Sequence, residues 1–519
     1  MAWMRWTRAI GFALILVLGG VLQSPARAQA EPIEPQKFGT YPAFSMPALS
    51  PNADYYAALV VTDKGRFIEA RHLADDKAVV RVSVGIDEIH WMGWTDEEHL
   101  LVARTPFLDK YAVLGDGELG KIEGPSLYVL DITDRSFSAP LKRKYPAYSG
   151  DYGAGYFRNQ TRVLKWPNST SGSLLLQLFE SRSRMGAILS PSIYAFSPRT
   201  GKAKILEKAK ASIKGHGVDR DGRLRIRYGE KDDNPTINIY DVVSEKWLDY
   251  TNRVYGAGSE FSIKGFSFDP DILYVASDHE MSPGGLYEYR ISTNTFETLI
   301  ANHPVYEIND VSVSRLRKTL SKVTAGQTLV YMSPEFEAIW DSIQAAFPAS
   351  VSSISDLSYD ESTLIVSIER PNDPIRYYVT QVGTDEYREL GAQYPDFGPQ
   401  NLGQMKRDVY EARDGLQIEA FITLPPGIED RPEAPIPFLM MPHGGPAARD
   451  YAEYDSLTQV LATRGYGVLQ MNFRGSDGYG RQFEQAGEGE WGRAMQDDIA
   501  DGAFWMIENG YAAPDKICI

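Results

Sequence analysis

The chain has 519 residues, enough for two or more domains with large cores, and its 43% hydrophobic and 24% charged residues are ordinary for a soluble globular protein. A net charge of −16 with no long basic run excludes recognition of nucleic acid through phosphate neutralisation. The single cysteine, Cys518, excludes an internal disulfide, so stability has to come from packing.

Residues 1–30 read as a targeting segment. Arg5 and Arg8 give a positive start, residues 10–22 are apolar apart from glycine, and Ala26-Arg27-Ala28 and Ala28-Gln29-Ala30 offer small residues at cleavage spacing. The apolar run is shorter than the roughly 20 residues of a spanning helix, which favours a secretory signal over an uncleaved anchor. Cleavage after Ala30 removes three arginines and no acid, so −16 becomes −19. The expected location is periplasmic or extracellular, with no stable membrane span once the signal is gone.

From about residue 45 to 395 a small pattern recurs: an apolar approach, a polar turn, then an apolar strand. Its turn residues are Asn52, Asp96, Asn168, Asp219, Asp269 and Asp360, at intervals of 44, 72, 51, 50 and 91. The last interval is close to two repeats, which predicts a degenerate copy near residue 315. Aromatic strands such as Leu127-Tyr128-Val129-Leu130 and Leu286-Tyr287-Glu288-Tyr289 follow most copies. Period-two alternation within strands and a repeat near 45 residues indicate a β-propeller of about seven blades over residues 31–398; an irregular pair of sandwiches is the alternative. Asp96, Asp269 and Asp360 read as turn-makers rather than metal ligands, and the histidines show no metal-ligand spacing. Residues 152–155 and 169–173 read as surface loops, neither of them a phosphate cradle.

Residues 399–519 change pattern. A hairpin is predicted with strands at 409–413 and 417–424 around Asp414-Gly415. An apolar strand at 437–441 runs into His443-Gly444-Gly445-Pro446. A helix at 454–463, a buried strand at 467–472, a long helix at 492–509 stopped by Gly510, and a strand starting at Lys516 follow. Strands alternating with helices imply a parallel sheet. Two adjacent glycines after a strand let backbone N–H groups face outward without Cβ interference, a geometry suited to an oxyanion hole.

Four motifs in order carry a resemblance: His443-Gly444-Gly445-Pro446, then 472–480 (Asn-Phe-Arg-Gly-Ser-Asp-Gly-Tyr-Gly), then Glu490-Trp491-Gly492, then 497–502. Together they make the chain resemble the prolyl oligopeptidase family of serine peptidases, especially its acylaminoacyl-peptidase and dipeptidyl-peptidase-like branches. The resemblance implies a propeller followed by the N-terminal part of an α/β-hydrolase domain, and Ser-His-Asp acyl transfer on short peptides with no cofactor or metal. It maps an oxyanion role to the Gly445 amide with Gly444 in support. Tyr479 is a candidate wall of the substrate pocket. His443 is expected as a packed loop residue, Arg474 as a brace pairing with a carboxylate near Asp498, and Asp498 and Asp501 as helix-capping and packing residues.

No Gly-x-Ser-x-Gly occurs in the sequence; the nearest segment, Arg474-Gly475-Ser476-Asp477-Gly478, starts with arginine. None of the three triad residues maps onto this chain. The expectation is therefore a fragment of a peptidase, inactive as written, with the nucleophile following Ile519. A secreted, non-catalytic propeller that binds peptides, with a vestigial hydrolase half, is the alternative, and an esterase is the third reading.

Overall fold

The structure is a computed structural model that describes residues 33–105, 126–139, 161–167, 173–179, 190–256, 259–445 and 447–519. Residues 1–30, read above as a targeting segment, residues 152–155 and most of 169–173, read as loops, the expected turn residue Asn168, and Pro446 lie outside the described residues.

Seven small antiparallel sheets follow one another in the order of the sequence, at residues 44–83, 88–138, 161–207, 213–249, 262–302, 308–332 and 351–392. This is the seven-bladed propeller expected from the repeat. The degenerate copy is real: the sixth sheet turns at 315–318, between strands Ile308–Ser314 and Thr319–Ala325. Where the turns at Asp96, Asp219, Asp269 and Asp360 use a local carboxylate, this one borrows from the next blade, as the first blade's turn does from Glu97. Glu361 of the seventh blade accepts from the Ser314 hydroxyl at 2.8 Å and pairs with Arg317.

The apolar clusters lie between blades rather than within them. Ala57, Ile68 and Val80 of the first blade pack with Ile89, Leu100 and Leu130 of the second. Phe44, Leu49 and Tyr56 of the first pack with Ile365 and Tyr377 of the seventh, which closes the ring. The first and seventh sheets share no strand. Besides packing, closure uses the Leu49 amide donating to Asp356 at 2.8 Å and the Tyr359 amide donating to the Pro51 carbonyl at 2.8 Å.

After the propeller come β1 (Gln404–Glu411), β2 (Gln417–Leu424), β3 (Ile436–Met440), α1 (Ser456–Ala462), β4 (Gly467–Asn472), α2 (Arg481–Gln485), α3 (Ala494–Glu508) and β5 (Ala512–Cys518). They form a five-stranded sheet in the order β1-β2-β4-β3-β5, with β3 parallel to both β4 and β5. The second hairpin strand, the two expected helices and the strand at 467–472 stand where the sequence places them within about two residues, whereas the first hairpin strand starts at Gln404 rather than Val409 and α2 was not expected. The last strand also differs: it starts at Ala512 rather than Lys516. It includes Pro514, which is tolerated because β5 borders the described sheet, where a residue without an N–H breaks no ladder bond on its outer side. On α3, Met495, Ile499 and Met506 face the core. Residue Asp455 caps α1 by accepting from the Thr458 amide.

Candidate functional site

The last ladder contact of β3 is the Met441 amide donating to the Leu469 carbonyl at 2.8 Å. Beyond it the chain leaves the sheet through His443, Gly444 and Gly445. Gly445 has φ +131°, and a Cβ there would stand 2.9 Å from the Ala447 amide, so this position requires glycine. A Cβ on Gly444 would meet nothing within 4 Å. Both glycines are exposed, and among the described residues no backbone carbonyl accepts from either amide.

His443 is held rather than free. Its ring stacks on Phe473 with centroids 4.6 Å apart and planes 14° apart, and Nε2 lies 2.8 Å from the Ser476 hydroxyl. This pair is not a nucleophile with its base. Ser476 is fully buried, with its hydroxyl also 2.6 Å from the Phe473 carbonyl, so no substrate carbonyl reaches it. On the other side of the ring, Nδ1 donates to the Gly444 carbonyl at 2.9 Å, which ties His443 to the glycine pair.

Arg474 braces the loop as expected. Its Nε and Nη2 donate to the two oxygens of Asp498 at 2.8 and 2.6 Å, and Nη1 reaches Asp414 at 2.8 Å. The helix-capping role expected of Asp498 and Asp501 is not found. Arg493 occupies the N-cap of α3, Asp498 is a fully buried partner of Arg474, and Asp501 pairs with Arg413 at 2.8 Å.

Where the hydrolase segment meets the propeller there is a cavity of about 720 Å³, within the range of small-ligand sites. It reaches Ala447, two residues beyond Gly445, and Gly475 in the loop after β4. Propeller residues Glu260, Asp278 and Glu307 line one side, and Arg481, Glu484, Glu488 and Trp491 line the other. Five acids thus face one base. Arg481 is already engaged with Asp278 at 3.3 Å, and Glu260 with Arg253 at 3.1 Å. Glu307, Glu484 and Glu488 have no cationic partner within ion-pair distance among the described residues. Burial, reinforced by the charge of Glu484, pushes the Glu307 carboxyl up to about 7. The Trp491 ring is 69% exposed at the rim.

Tyr479 stands behind this cavity rather than in its lining. Its hydroxyl donates to Glu419 and accepts from Asn472 at 2.5 Å, and its ring lies against Tyr306 of the propeller at 5.6 Å. Neither the acidic cavity nor the role of Glu419 was read from the sequence. A usable signal existed for Glu419, the one carboxylate inside the apolar run 418–422.

Asp96, Glu98 and His99 form the one carboxylate–histidine group close enough to suggest a metal among the described residues. Asp96 accepts from the amides of Glu98 and His99 at 2.9 and 3.0 Å and from His99 Nδ1 at 2.7 Å, while Arg199 reaches Glu98 at 3.4 Å. These contacts build the turn itself, with a cation already beside it.

Residues 452–519 match the family model described as the prolyl oligopeptidase family. The chain is 26% identical over 343 residues to dipeptidyl aminopeptidase BIII of Pseudoxanthomonas mexicana, covering 63% of this chain and 48% of that protein. It is also 26% identical over 362 residues to dipeptidyl peptidase family member 6 of Caenorhabditis elegans, again covering 63% and 48%. The chain thus spans about half the length of these curated relatives. Its fold is similar to that of a prolyl endopeptidase (TM-score 0.60, 13% identity, 93% of this chain and 69% of the other). It is equally similar to that of a Mycobacterium tuberculosis puromycin-hydrolyzing peptidase (TM-score 0.60, 16% identity, 94% and 75%).

Proposed function

We propose that this chain, whose C-terminal residues carry the sequence of the prolyl oligopeptidase family, serves a serine-type peptidase that acts on short peptides by acyl transfer. The observation that carries the reading is the position of the acidic cavity, which lies between propeller and hydrolase segment and reaches Ala447, two residues beyond Gly445. In this proposal the Gly445 amide, with Gly444 beside it, donates to the oxygen of the carbonyl under attack, and its positive φ fixes that direction in advance. The attacking serine, its histidine and its aspartate are assigned to no residue of this chain, and Ser476 is excluded by its burial and hydrogen bonding.

The cavity's charge indicates which peptides it favours. Five acids and one base select a cation, and the free amino terminus of a peptide is one below pH about 8. Glu307 is the anchor in this reading, since it lines the cavity with no ion pair, and the exposed face of Trp491 adds a cation–π contact. With Glu307 titrating at about 7, binding rises with pH as the carboxyl ionises and falls again as the amine loses its proton. Calorimetric titration of the chain with a tripeptide tests the proposal. One-to-one binding that rises from pH 6 to 7.5 is expected; no binding, or binding that falls across that interval, overturns it.

Export through residues 1–30 belongs to the same proposal and is tested by sequencing the amino terminus of the protein recovered from its host. The second reading is a non-catalytic peptide-binding propeller, which the same acidic cavity would serve. Host-derived protein that binds peptides but turns none over would select it.

A further inference from the structure

Glu419 lies in the middle of β2, where every residue after Gln417 is buried. A carboxylate on such a strand is costly unless it is paired and hydrogen-bonded. Here the donors come from both halves of the molecule. The Tyr306 hydroxyl arrives from the propeller, between its fifth and sixth blades. Arg407 arrives from β1, the Tyr479 hydroxyl from the loop after β4, Asn472 Nδ2 from β4 at 3.4 Å, and Arg449 Nη2 from the loop after β3 at 3.2 Å. Burial alone would raise this carboxyl, yet the two hydroxyls and the two guanidinium groups hold it below the usual range.

Arg449 lies four residues beyond Gly445. Its side chain is 4% exposed, and its guanidinium sits 4.2 Å from the Tyr479 ring centroid and 4.7 Å from that of Tyr306. The next residue is tied to the same group, since the Asp450 amide donates to Asn472 Oδ1 at 2.7 Å. On the far side of the loop, the Asp477 amide donates to the Ala448 carbonyl at 3.1 Å, and the Glu307 amide of the propeller donates to the Gly478 carbonyl at 3.0 Å.

We propose that Tyr306, a propeller residue, is a positioning residue for the glycine loop: through Glu419 and Arg449 it fixes the course of residues 447–450, which follow the glycine pair. The functional value of that loop rests on the peptidase reading above, but the coupling itself does not. The propeller is then part of the machinery that aims the Gly445 amide, beyond its role as a wall of the cavity. Undocking the propeller removes one donor from Glu419 and one aromatic face from Arg449, and the loop loses both supports together.

Hydrogen exchange at the Asp450 and Asp477 amides of the full chain reads this coupling directly, because both are hydrogen-bonded at the loop. Tyr306→Phe keeps the ring and deletes only the hydroxyl, and it should speed exchange at both amides by roughly fivefold to tenfold. Tyr250→Phe is the control. It deletes another buried hydroxyl, one bonded to Asn294 within the propeller at 2.8 Å, and should leave both amides unchanged. Glu419→Gln should reproduce the effect of Tyr306→Phe, and if it does not fold, the tyrosine pair still decides. Unchanged exchange in Tyr306→Phe, or equal acceleration in Tyr250→Phe, overturns the proposal. Peptide titration of the same variants keeps the two readings apart: faster exchange with no peptide binding in any form of the chain supports the coupling while rejecting the peptidase assignment.

Discussion

Neighbouring blades meet through apolar side chains such as Leu100, Leu130, Ile365 and Tyr377, all of them at most 8% exposed. The hydrolase segment meets the propeller through one apolar cluster, Phe38 and Phe397 with Tyr454 and Val460, and through a set of polar contacts: Tyr306 with Glu419, Arg481 with Asp278, the Tyr454 amide with Glu369 at 3.1 Å, and Gln459 with the Pro371 carbonyl at 2.9 Å. Apolar burial is nondirectional and scales with area, so a ring of blades built that way tolerates variation in any one contact. A polar seam depends on geometry and on protonation, so it sets the orientation of the parts it joins and responds to pH. The candidate site lies on the second kind of contact.

The largest effect should come from within the hydrolase segment, where the polar principle is taken furthest. Asp498→Ala strands a buried guanidinium and should destabilise the segment by about 3–5 kcal/mol in urea unfolding. Leu100→Ala, in the fully buried cluster between the first two blades, should cost about 2–5 kcal/mol, split between lost transfer energy and the cavity left behind. A loss in Leu100→Ala well beyond that in Asp498→Ala would break the contrast between the two regions.

A pH titration sharpens it. Glu307 and Glu369 are both raised to about 7, burial being the first cause in each case. Each binds its proton more tightly folded than unfolded, so the stability it contributes is complete below its ordinary carboxyl range and is lost as pH rises through 7. Melting temperature should therefore fall between pH 5 and 8, and Glu307→Gln with Glu369→Gln should flatten the decline. A decline of the same steepness in the double variant would assign it elsewhere. The smallest effect belongs to the surface. Arg413 and Asp497 are 51% and 48% exposed, and Asp497→Ala should change stability by less than about 1 kcal/mol.

The same division decides how much was legible in the sequence. The propeller was readable because several turns repeat a local device, a carboxylate that accepts the amides of its own turn, as Asp219 does for Asp221 and Arg223. The copy at 315 was legible only through the doubled interval, because its carboxylate, Glu361, comes from the next blade. Arg474 and the Asp498 helix were readable because the motif places both, although the capping role given to Asp498 was wrong: the residue lies inside α3, not at its start. Glu419 was not readable in the same way, because its propeller partner Tyr306 lies 113 residues away and nothing in either local sequence names the other. The acidic cavity was hidden for the same reason. Its carboxylates come from segments as far apart as Glu260 and Glu488 and become a group only when the two halves dock.

The central claim is that the seam cavity holds a peptide by its charged amino terminus, with Glu307 as the anchor. Titrating the chain at pH 7.5 with one tripeptide, once with a free amino terminus and once acetylated, tests it most directly. The account predicts roughly tenfold tighter binding of the free form, with the difference abolished in Glu307→Gln. Equal affinity for the two forms, or a preference that survives Glu307→Gln, would contradict it.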